Sequence, residues 1–177
     1  CGTCMTFSIG DLTFNSSMNF MKDSQSKLAD GSISKTGDKY QNYTNMKNHF
    51  TASELDLICQ KGVYPYEWGD GDDKFKHEGL PSRNVFFSKL KMSGITNKED
   101  KHTQKVYKTF NCKTFQDYHD IYLKTDDLLL ADIFENFRKS SISHYKLDPT
   151  CFITAASFAW SAMMLKTGVE LGLITDP

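Results

Sequence analysis

The chain has 177 residues, enough for one core or for one domain with an appendage, and a net charge of −1. That balance carries no global basic signature, so nucleic-acid binding does not follow from charge alone. The apolar runs are only a few residues long, which excludes a membrane-spanning helix, and the five irregularly spaced cysteines argue against a disulfide framework and for a reducing, intracellular compartment.

From Met5 to Phe14 apolar and polar residues alternate around Gly10-Asp11, which predicts a short β-hairpin. Ser16 and Ser17 follow with Met18 and Met21, a pattern that reads as a helix N-cap with core methionines, and a short helix is expected around Ser24 to Ala29. Asp30 to Asn48 has no apolar period and reads as a loop. Thr51 and Glu54 mark a helix start, Leu55, Ile58 and Cys59 supply its apolar face, and Gly62 is the expected C-cap. Lys61 sits at that boundary, where a cation is favoured by the helix dipole. Asp70, Asp72 and Asp73 lack the calcium-loop spacing and fall in a predicted surface loop. Cys1 and Cys4 have CxxC spacing without the second pair that a structural zinc needs.

Pro81 and Ser82 are helix-start signals, with Val85, Phe86, Phe87 and Leu90 as the expected core face. Thr96 to Thr109 reads as a charged helix anchored by Val106, Tyr107 and Phe110, and its lysines as a solvated face. After the break at Leu147-Asp148-Pro149, Thr150 to Leu165 reads as a last helix. The chain opens on Cys1 and stops at Pro177, and reads as part of something longer.

The most informative stretch is Phe115 to Phe137. At 100° per residue, Phe115, Tyr118, Tyr122, Leu129, Ile133 and Phe137 share one stripe, and Asp126 falls within it, one turn after Tyr122. A carboxylate aimed into an apolar face needs a cation, a metal or several hydrogen bonds. Two readings fit: Asp126 caps a neighbouring helix or bonds Tyr122 in the core, or it is a metal ligand with Tyr122 positioning a water or phosphate. Periodicity does not separate them.

Tyr122-x-x-x-Asp126 with its following amphipathic helix resembles the third exonuclease motif of family B DNA polymerases. Four words in order, KGVYPYEW, LPSRNVFFSKL, YHDIYLKTDDLLLADIFENFR and TAASFAWSAMMLKTGVEL, resemble the protein-primed branch found in viruses, linear plasmids and Maverick/Polinton-type elements, from about Phe14 to Thr175. The resemblance implies an α/β, ribonuclease-H-like exonuclease fold, here partial and mostly helical with a short N-terminal hairpin. Residues 1–148 would be the C-terminal half of the exonuclease domain and 149–177 the helix leading towards the palm.

It further implies proofreading by two-metal 3′–5′ exonucleolysis, with Mg2+ or Mn2+ as cofactor. Asp126 would be a metal ligand, Tyr122 would orient the attacking water, and Lys61 would offset phosphate charge. Ser17, Met18 and Tyr66 would contact the single-stranded 3′ end of DNA. In the full-length enzyme the other partners would be dNTPs and a terminal priming protein, with no membrane. Ser16, Gln25 and Ser161 depart from the family's usual acidic residue, Leu and Asp, and with both truncated ends suggest a decaying mobile-element copy; Asp127 stands where relatives carry a hydrophobe, at a position expected to reach solvent. The first two exonuclease motifs and the palm motifs are not found in the 177 residues, so alone they are expected neither to degrade nor to extend DNA. The alternative is a non-catalytic helical DNA- or protein-binding module derived from such a polymerase.

Overall fold

The computed structural model describes residues 6–34, 37–60 and 62–172. It is mostly helical with one short two-stranded antiparallel sheet. The chain divides into two compact units, residues 25–133 and residues 1–24 with 134–177.

In the unit of residues 25–133, local chemistry sets the helix ends. Thr51 and Glu54 form a capping box at the start of α3 (Ala52–Ile58), and Thr96 and Glu99 form another at the start of α5 (Asn97–Thr109). The long helix α6 (Phe115–Tyr145) begins the same way. Asp117 accepts the backbone N–H of Lys113 and Thr114 at 2.7 and 2.9 Å, and the Thr114 hydroxyl accepts the N–H of Asp117 at 3.3 Å. These bonds hold the Asp117 carboxyl below the usual carboxylate range.

The remaining helices here are short: α1 (Gln25–Ser32), α2 (Thr44–Lys47) and α4 (Asp72–Phe75). The core gathers Leu55, Leu57, Ile58 and Cys59 of α3, Phe86, Val106 of α5, and Phe115, Tyr118, Leu129 and Ile133 of α6. Burial pushes the Cys59 thiol up to about 12, so it packs as a neutral hydrophobe.

Three expectations change in this unit. The stretch after Asp30 is no simple loop: Tyr40, Tyr43 and Met46 are core residues, and the Tyr43 hydroxyl donates to the Ala29 carbonyl at 2.7 Å. The acidic loop forms the single helical turn α4, with Asp72 and Asp73 in its first turn. Pro81-Ser82 starts only a 3-10 turn over Arg83–Phe86, because Phe87 turns extended at φ −68, ψ 129 and ends it. Phe86 is buried as expected, but Phe87 and Leu90 are exposed.

The second unit holds the hairpin of β1 (Thr6–Ile9) and β2 (Leu12–Asn15), the C-terminal part of α6, and α7 (Ala155–Thr167). Gly10 at φ +58 supplies the positive dihedral that a two-residue hairpin turn requires. The register pairs Phe7 with Phe14 and Ile9 with Leu12, so one face is wholly apolar, and the two phenylalanine rings stack at 4.8 Å. Helix α7 starts later than expected, at Ala155: Pro149–Cys151 forms a separate 3-10 turn, and Thr154 is the N-cap. Gly168, at φ +65, closes α7 by donating to the Met164 carbonyl at 3.0 Å.

At the break after α6, Arg138 grips Asp148 with Nε and Nη2, at 2.8 and 2.7 Å from Oδ2, while Asp148 also caps Thr150. The guanidinium therefore holds the Asp148 carboxyl well below the usual carboxylate range. With the folded pKa depressed, this contribution is complete above the unfolded value near ~4 and is lost as pH falls through the lower folded value. Thermal unfolding followed from pH ~6 to ~2 should show Asp148→Asn less stable by about 1 kcal/mol, a modest figure because the pair is partly exposed, with the gap closing in acid. A gap that persists unchanged at the acid end would rule out the ion pair as its source.

Candidate functional site

Tyr64, Tyr66 and Tyr122 form the centre of an aromatic cluster in the unit of residues 25–133. Val63 to Trp68 crosses the first turns of α6, and the Tyr118 hydroxyl anchors it by donating to the Val63 carbonyl at 2.5 Å. Tyr64 lies 5.0 Å from the Tyr122 ring and 5.5 Å from Phe115, centroid to centroid, and its hydroxyl is 2.8 Å from His119 Nδ1. Gly62 is not the C-cap of α3, a place taken by Cys59. Instead a Cβ at Gly62 would stand 3.2 Å from two Tyr122 ring atoms, so glycine lets the segment lie close against that ring.

The hydroxyls of Tyr66 and Tyr122 are 2.8 Å apart, a bond across 56 positions of sequence. Tyr66 is 66% exposed, so the pair opens to the surface. Burial first, then the bond with Tyr66, pushes the Tyr122 phenol far above its ordinary range. Tyr122 therefore stays protonated at neutral pH and acts as a hydrogen-bonding hydroxyl, never as a phenolate base.

Asp126 departs from the expectation of an inward-aimed carboxylate: it is exposed. Desolvation by its surroundings, and then the charge of adjacent Asp127, raise its carboxyl above the usual range, while hydrogen bonding from Gln25 pulls the other way. The Gln25 amide is itself satisfied, donating to the Asp126 backbone carbonyl at 2.7 Å. The amide is therefore not left without a partner.

The buried carboxylate of α6 is Asp132, at 1% exposure. It accepts from the backbone N–H of Asn45 at 2.8 Å, from Asn45 Nδ2 at 3.0 Å and from the N–H of Met46 at 2.9 Å. Tyr43, the N-cap residue of α2, supplies no side-chain cap, so Asp132 caps that helix from 86 residues away. The structural role considered for Asp126 thus belongs to Asp132. Sequence reasoning passed over it, because the segment that holds α2 reads as a loop and offers no helix start for a buried acid to cap.

No protein-family model, no curated protein and no solved structure matches this chain.

Of the residues drawn from the resemblance, Tyr66 and Tyr122 are brought together, with Asp126 one turn further along α6. Lys61 lies outside the described residues, as do Cys1 and Cys4. Ser17 and Met18 belong to the other unit. There Ser16 caps the 3-10 turn Ser17–Asn19, its hydroxyl accepting from the Met18 N–H at 3.3 Å. Met18 is exposed rather than a core methionine. Among the described residues no group of three or more His, Cys, Asp or Glu side chains is placed to hold a metal ion. One exposed carboxylate with a single acidic neighbour does not make a two-ion site, so the described residues do not hold such a pair by themselves. Among the described residues no helix is long and apolar enough to cross a membrane.

Proposed function

We propose that this chain is part of a protein-primed family B DNA polymerase and carries the third motif of its 3′–5′ exonuclease domain, of ribonuclease-H-like type. The observation that carries this reading is the Tyr66–Tyr122 bond of 2.8 Å beside Asp126. The resemblance assigns these three residues to one centre from two separate words of the sequence. On this reading Tyr66 holds the single-stranded 3′ end, and Tyr122, kept protonated, orients the attacking water. Asp126 supplies one carboxylate to a Mg2+ or Mn2+ site whose other ligands lie outside these residues. Lys61 offsets charge developing on the phosphate, and Ser17 and Met18 contribute contacts to single-stranded DNA. Polymerisation from dNTPs and a priming protein belongs to the remainder of the enzyme.

The reading frame around this chain tests the proposal. An Asp-x-Glu strand and an Asn-x-x-x-Asp word are expected upstream, with a D-x-x-S-L-Y-P-like palm word downstream. A frame carrying none of them sinks the assignment.

A second reading, a non-catalytic helical DNA- or protein-binding module, draws on the exposure of Asp126. It differs in its expected result: DNA binding that neither EDTA nor Asp126→Ala alters.

A further inference from the structure

The segment after the expected helix start becomes a small projecting loop. Ser88 and Ser93 close it with reciprocal backbone bonds of 2.9 and 3.3 Å, and Met92 turns the chain at φ +50. The loop is held at its base rather than left loose. Arg83 donates from Nε and Nη2 to the Ile95 carbonyl at 3.2 and 2.7 Å and from Nη1 to Asn97 Oδ1, and the Ser88 hydroxyl accepts the Lys91 N–H at 3.3 Å. At its tip Leu90 is 93% and Met92 77% exposed.

The charge is equally one-sided. Pro81 to Thr96 contains Arg83, Lys89 and Lys91 and no acidic residue, in a chain whose net charge is −1. Lys89 and Lys91 are exposed, and among the described residues neither ammonium pairs with a carboxylate. The loop is also tied to the aromatic centre: Glu67, the residue after Tyr66, accepts the Lys89 backbone N–H through Oε1 at 2.6 Å.

We infer that the loop Ser88–Ser93 is a DNA-contacting finger beside the Tyr66–Tyr122 pair, with Lys89 and Lys91 on backbone phosphates and Leu90 against a base or sugar. A Lys-Leu-Lys-Met run offers cations and apolar surface in the alternation that a nucleic-acid strand presents as phosphates and base faces. A bilayer would need a broader apolar face than one leucine and one methionine provide. The inference names a further part of the partner surface and rests on the DNA-binding reading above, not on metal chemistry.

The test is fluorescence anisotropy of the 177-residue chain with a labelled duplex carrying a single-stranded 3′ end, across a salt series. The double variant Lys89→Gln, Lys91→Gln should lose about tenfold in affinity at ~0.1 M salt. Its log–log salt slope should shrink by about 1.4, the value for two fewer phosphate contacts on a single strand. Leu90→Ser should weaken binding by less than the lysine pair does, with the slope unchanged because no phosphate contact is lost. Circular dichroism should show all variants folded, since the substituted side chains are at the surface.

Wild-type affinity in the lysine variant, no DNA binding by the parent chain, or tighter binding to phosphatidylserine vesicles than to DNA would each overturn the inference. The two proposals fail separately. A loop that does not matter leaves the reading-frame test intact, and a frame without polymerase motifs leaves the finger as the contact of a non-catalytic DNA-binding module.

Discussion

Asp126→Ala, placed in the full-length protein, is expected to slow trimming of a mismatched 3′ end by on the order of 10²–10³-fold, the usual consequence of removing one preorganised electrostatic group. Nucleotide addition should change little, because the proposal puts it in a different part of the enzyme. Asp126 is an exposed residue, so the substitution should leave the fold intact, and circular dichroism of the variant separates loss of activity from unfolding. Its carboxyl is raised partly by Asp127, so Asp127→Ala provides the counter-test. That change removes a repelling charge without removing the ligand, and trimming should persist within a few-fold. Trimming of a mismatched primer end with and without Mg2+, measured on the three proteins, decides the matter. Undiminished trimming by the Asp126 variant would end its assignment as a metal ligand.

Much of the helical skeleton was legible because it is written in local chemistry. A Thr followed three residues later by Glu or Asp marks the starts of α3, α5 and α6, and each of those threonines accepts or donates as the motif requires. The apolar stripe of α6 was legible too, from Phe115 to Ile133. The side to which its acids point was not. At 100° per residue, Asp126 lies ~45° to one side of the centre of the buried residues and Asp132 ~75° to the other. One flank receives α2 and the other does not, and that choice comes from contacts across 86 residues of chain.

The same limit explains the segment from Asp30 to Asn48. Tyr40, Tyr43 and Met46 enter the core from irregular backbone and one four-residue helix, so no period announces them. Conversely, the hydrophobes Phe87 and Leu90 imitate a helical face, yet the chain leaves the helix at Phe87 and carries Leu90 to the tip of the finger. The pairing of Tyr66 with Tyr122 was not legible, because nothing in spacing links residues 56 positions apart.

The largest effect on stability is expected at Asp132. Replacing it with Ala strips the acceptor from three donors, two of them backbone N–H groups at the start of α2. A buried donor left without a partner costs about 1–3 kcal/mol, and bonds to a charged acceptor are at the strong end, so Asp132→Ala should lose about 3–5 kcal/mol in urea unfolding. Asp132→Asn should lose less, since one oxygen remains to accept while the new amide faces a donor. Amide exchange at Asn45 and Met46 should accelerate in both variants before global unfolding, because the bonds removed are the ones that hold the first turn of α2. Asp126→Ala, measured in the same way, should stay within about 0.5 kcal/mol of the parent chain, as surface substitutions do. The two acids of one helix are thus expected to separate cleanly, Asp132 in the stability of the fold and Asp126 in its chemistry. If unfolding instead shows Asp126→Ala as the costly change, Asp126 is the structural acid and the exonuclease assignment loses its carboxylate.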